Sequence, residues 1–160
     1  MDSPTLQRRL RSDFDARVFN HGDYNVVYGQ PSGGSAPLVI GYRHAPLEMV
    51  LCPLELSPEP GQTPAPPVSV ALDNVATLAD TGSGYQVETV TGFRTWFEVT
   101  EHAVVPVGAQ TEDGTAHLDQ STDAPDFHQF MTAFMDELDR LYAEPTAPIA
   151  TAEGTAPADG

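Results

Sequence analysis

The chain has 160 residues, 40% hydrophobic and 8% aromatic, and sets 23 carboxylates against seven arginines and no lysine, a formal net charge of −16. A chain so poor in cations cannot neutralise a phosphate backbone or settle on an anionic bilayer, which excludes nucleic-acid and membrane-surface partners. The imbalance is a shortage of bases rather than a surfeit of acids, because 19% charged residues is below the roughly 25% of an ordinary chain.

The length predicts one domain over 1–145, large enough to bury its own core. The segment Met1–Arg9 has no apolar stretch of the signal-peptide kind, and no run is long enough to span a bilayer, so the expected compartment is the cytoplasm. The single cysteine, Cys52, has no disulfide partner in the chain and lies in an apolar run, which reads as a buried, inert thiol.

In chain order, Ser3 reads as a helix cap and Pro4 as the first helical residue, with Leu6, Leu10 and Phe14 recurring every four positions over 4–15. Arg8, Arg9 and Arg11 lie off that stripe on a solvated face. Arg17–Asn20 and Tyr24–Tyr28 flank a turn triplet and predict a hairpin, followed by a loop at 30–35. Strands are expected at 38–42 and 47–51. Residues 57–67 hold five prolines and read as a stiff surface loop. The segment 68–80 fits two patterns: Val68, Leu72, Val75 and Ala79 make a helical stripe closed by Gly82, while Val68–Leu72 alternates as a strand. The preferred reading is a strand at 68–72 running into a short helix or turn.

Tyr85–Val90 and Phe93–Val99 flank Thr91-Gly92 and predict a hairpin. A two-residue turn would put Tyr85, Val87 and Trp96 on one face and Val90, Phe93 and Phe97 on the other, with both faces covered; a bulge at Gly92 would change that assignment. Ala103–Val107 reads as an edge strand and 108–122 as a polar loop. Asp123 and Asp126 form a capping box for a helix over 124–143, whose apolar stripe runs Phe127, Phe130, Met131, Phe134, Leu138, Leu141 and Tyr142. Residues 146–160 read as a disordered tail.

The expected fold class is therefore α+β, an antiparallel meander sheet packed by an N-terminal and a long C-terminal helix. In element order it is similar to secretion-chaperone-like domains, which run α-βββ-α-ββ-α and would need 68–80 to be helix. The alternative, a partly closed β-barrel capped by the C-terminal helix, is similar to pleckstrin-homology-like domains and needs the same segment to be strand.

No motif carries chemistry by itself. His117, Asp119, Asp123, Asp126 and His128 are a mixed His and carboxylate set of the kind that suits Zn²⁺ or Mn²⁺. Asp123 and Asp126, however, already have a place at the helix start, and no H-x-x-x-H or H-E-x-x-H spacing occurs. Ser83, between Gly82 and Gly84, lacks the spacing of a nucleophile elbow. No metal or cofactor is expected. The expected function is a non-catalytic, chaperone- or adaptor-like interaction module whose C-terminal helix meets a polypeptide partner with a basic surface through Phe130, Met131, Phe134 and Met135, or dimerises through them. The alternative is a small-molecule-binding protein or enzyme with a pocket between sheet and helix, built from Tyr85, Trp96, Phe127 and His128.

Overall fold

The structure is a computed structural model that describes residues 1–32, 36–54, 65–108 and 111–143. The proline-rich loop, apart from 65–67, and the C-terminal tail lie outside the described residues. No helix among the described residues is long and apolar enough to cross a membrane.

Helix α1 spans Ser3–Arg17 and is capped one residue earlier than expected: the Asp2 carboxylate accepts from the Thr5 N–H at 3.0 Å. The Ser3 hydroxyl is engaged elsewhere, accepting from the Asp119 N–H at 2.8 Å. Leu6, Leu10 and Phe14 are buried as their spacing predicts. The helix continues through Arg17, so the strand expected at 17–20 and its hairpin do not form. Instead the Asn20 side chain ties down the turn, donating to the Val18 carbonyl and accepting from the Gly22 N–H.

Seven antiparallel strands follow: β1 (Asn25–Pro31), β2 (Leu38–His44), β3 (Leu47–Pro53), β4 (Val68–Ala71), β5 (Val75–Asp80), β6 (Tyr85–Thr89) and β7 (Arg94–Glu98). They hydrogen-bond in the order β4-β3-β2-β1-β7-β6-β5. The joint between the two halves is the end of β1, where Gln30 and Pro31, expected in a loop, pair with Glu98 and Phe97. Among the described residues the sheet rolls into a nearly closed barrel with β4 and β5 as its edges.

The ambiguous segment is strand throughout, broken by a turn at 72–74. Asn74 makes that turn: its Oδ1 accepts from the Ala71 N–H, its Nδ2 donates to the Ser69 carbonyl, and its own carbonyl accepts from the Val90 N–H. Of the short helix or turn expected after Leu72 it is the turn that forms, with β5 following it, and Gly82, read as a helix cap, turns a hairpin at φ +92°. This satisfies the barrel's requirement and not that of the chaperone-like order. The class remains α+β with a C-terminal helix.

A separate ribbon pairs β8 (His102–Pro106) with β9 (Thr115–Asp119), and α2 runs Asp123–Ala143. β9 falls in the span read as a loop. Its alternation of Ala116 and Leu118, both buried, with exposed His117 and Asp119 is a strand signal too short to outweigh the polar residues around it.

Two cores result. The barrel interior packs Val27, Ile40, Tyr42, Met49, Leu51, Val87 and Phe97 around the α2 stripe. The outer face of β1–β3 carries Tyr24, Tyr28, Val39, Val50 and Cys52, covered by α1 and by Ala103, Val105, Ala116 and Leu118 of the ribbon. β2 is thus buried on both faces, a continuous apolar run where a one-sided strand would alternate. Gly41 lets α1 approach, because a Cβ there would lie 2.1 Å from the Phe14 ring.

Candidate functional site

Tyr85 opens β6 and His128 lies in the second turn of α2, facing each other across the barrel mouth. The Tyr85 hydroxyl lies 2.6 Å from His128 Nδ1, and His128 Nε2 lies 3.0 Å from the Val99 carbonyl. A carbonyl can only accept, so Nε2 carries the proton and Nδ1 accepts from the tyrosine. Both ring nitrogens are thus engaged, one by the tyrosine hydroxyl and the other by a main-chain carbonyl. Burial pushes the Tyr85 phenol up to about 12, with the nearby Asp80 charge adding to the effect. Phe127 and Phe97 lie against the Tyr85 ring at 5.9 and 5.8 Å between centroids.

The loop between β5 and β6 flanks this pair. Its Thr81 N–H donates to the Gly84 carbonyl, and the Asp80 carboxylate accepts from the Gly82 N–H. Gly84 presses on β7: a Cβ there would lie 2.4 Å from the Phe97 carbonyl oxygen, so no larger residue fits without moving the loop. Between loop and helix runs a groove of about 380 Å³ lined by Asp80, Ser83, Tyr85, Val99, His128 and Thr132. Through His128 and Thr132 it continues into a shallow depression of about 370 Å³ that reaches Asp136. Through Ser83 it joins a third, of about 400 Å³, beside Ser32 and Trp96.

Of the four pocket residues read from the sequence, Tyr85, Phe127 and His128 come together. Trp96 stands apart. It pairs with Gln86 on the other face of the sheet, on the far flank of the Ser83 loop, with the Arg94 guanidinium 6.0 Å from its ring centre. The cause is the turn after β6: the Thr89 N–H donates to the Phe93 carbonyl, Gly92 adopts φ +98°, and three residues, 90–92, separate that bonded pair where a two-residue turn was expected. The register changes and Trp96 exchanges faces, taking its place opposite Gln86 while Tyr85 faces Phe97. The hairpin is buried on its inner face only, not on both.

The surface role expected of the helix stripe does not fit this fold. Phe130, Met131 and Phe134 are fully buried, and Met135 is half-buried against the same core. The stripe is wide because the helix fills the interior of two splayed half-sheets, which takes more apolar surface than packing on one flat sheet. The mixed His and Asp set is also dispersed. His117 and Asp119 lie on the outer face of the ribbon, Asp119 holds the Ser121 N–H and hydroxyl, and Asp126 accepts from the Tyr42 hydroxyl at 2.7 Å. Among the described residues no three His, Cys, Asp or Glu side chains are placed to hold a metal ion.

Gln120 carries no sequence signal, yet it joins three parts of the molecule. Its carboxamide accepts from the Tyr28 N–H at 2.9 Å and donates to the Tyr28 carbonyl at 3.1 Å and the Thr100 carbonyl at 2.8 Å. Its backbone N–H donates to Glu101, and its carbonyl accepts from Ala124 at the start of α2. An isolated glutamine before a helix gives no periodicity to read.

Compared with known proteins, the chain matches no family model, no curated protein and no solved structure.

Proposed function

We propose that the chain is a non-catalytic, adaptor-like interaction module that binds another polypeptide as an extended segment along the outer edge of β5. The observation that carries this reading is an unpaired strand edge beside a groove. Among the described residues β5 pairs only with β6, and alternation from the Thr81–Gly84 bond aims the N–H and C=O of Leu78 and Asp80 away from β6. An added strand takes its affinity from such main-chain groups and its specificity from side-chain pockets. Asp80 at one wall and Asp136 at the other favour a segment carrying Arg or Lys.

The test is selection of extended peptides from a random display library against the chain. Selected sequences should be rich in Arg and Lys, and the paired change Asp80→Lys with Asp136→Lys should abolish their capture while the fold persists by circular dichroism. Selection of compact small molecules instead, with no peptide captured, would favour a ligand pocket at Tyr85 and His128. Light scattering decides whether a second copy competes for the same edge.

A further inference from the structure

β1 pairs with β2 over residues 25–29 but meets β7 only at Gln30 and Pro31. Its other edge therefore has no strand neighbour between Tyr24 and Tyr28 among the described residues. In an antiparallel ladder, alternate residues direct both N–H and C=O to the same edge. Gln120 holds both groups of Tyr28, which fixes the alternation: Tyr24, Val26 and Tyr28 all face away from β2. The Tyr24 carbonyl accepts from Arg11. Tyr28 is bridged by Gln120. Val26, between them, has no protein partner for its outward N–H and C=O among the described residues, and beside it lies a cleft of about 250 Å³ bounded by Gln7, Arg11, Gln120 and Asp123.

We propose that this cleft binds a small molecule through a planar carboxamide, which bridges the N–H and C=O of Val26 as the Gln120 carboxamide bridges those of Tyr28. Three observations define the ligand. The protein already solves the same problem two residues along with an amide, which offers an acceptor and a donor in one plane; a carboxylate offers only acceptors and leaves the Val26 carbonyl unmet. Arg11 and Gln120 close the edge on either side, so the opening admits one group and not a continuing strand. Asp123 on the rim supplies a negative charge, which favours an amine close to the carboxamide. The smallest molecule with both features is glycinamide.

The experiment is an amide-resolved NMR titration of the full chain with glycinamide, acetamide, and glycine as the carboxylate control. Glycinamide should move the Val26 amide signal saturably, acetamide should move it more weakly, and glycine should leave it in place. Asp123→Asn should reduce the glycinamide response to that of acetamide while the Tyr28 amide and the Gln120 side-chain signals stay where they are. An unmoved Val26 signal with those markers intact means that the cleft holds water alone and overturns the proposal. A response to glycine equal to that for glycinamide overturns it too, because a carboxylate would then serve as well as an amide. Neither outcome touches the β5 edge, whose residues lie in the other half of the barrel.

Discussion

Single side chains hold this molecule together where strands do not. Gln120 substitutes for a missing strand beside Tyr28, and its removal exposes one buried donor and two carbonyls. Gln120→Leu should cost about 3 kcal/mol in urea unfolding, since each orphaned buried group costs on the order of 1–3 kcal/mol. Gln120→Glu keeps the acceptor for the Tyr28 N–H but turns a carboxylate toward two carbonyls, so its deficit should shrink on acidification as the side chain regains a proton to donate. Tyrosine ionisation gives a second measurement. Burial raises the phenols of Tyr24, Tyr28 and Tyr85 to about 12 and that of Tyr42 further, with Glu48 and Asp126 adding to the rise at Tyr24 and Tyr42. These are acids whose folded values lie above the unfolded one, so their contribution is complete below about pH 10 and is lost as pH climbs through the folded values. Tyrosinate absorbance from these four rings should therefore rise together with loss of the fold, and ionisation at ordinary pH with the fold intact would contradict the packing.

At the level of elements, the two helices and most strands were legible, because their patterns are local. The spacing of Leu6, Leu10 and Phe14, and of Phe127 through Leu138, needs only one helix face to be buried. What the sequence concealed depends on partners distant in the chain. The α2 stripe gives the same signal whether it plugs a barrel or greets another protein. The Trp96 face depends on one residue of turn length, and β9 declares itself only once α1 is there to cover it. The Tyr85–His128 pair was half visible as two residues near a sheet and a helix, while its hydrogen bond needed the sheet to roll around α2. The close approach of α1 to β2 depends on Gly41, so Gly41→Ala should destabilise by about 1–3 kcal/mol through overpacking against Phe14. Phe14→Leu in the same chain should recover part of that loss, a coupling that a double-mutant cycle in urea measures. Simple additivity would mean that the ring shifts freely and that the close approach is dispensable.

For the whole molecule, the charge of −16 acts on the compact state through self-repulsion, which dissolved salt screens. The thermal midpoint should therefore rise between low salt and about 0.5 M sodium chloride, where the screening length falls to a few ångströms. A falling midpoint would mean that pairs such as Arg43 with Glu48 at 2.7 Å outweigh the repulsion. The two-core arrangement also has a consequence in time. Helix α1 is tied to β9 by Ser3 and Gln7, across 116 and 112 residues of chain. Contacts so far apart close late, because the loop entropy must be met before they form. While the intervening residues are being made, the side of α1 that meets the ribbon stays open to water and to chaperones, even after Phe14 has seated on Gly41.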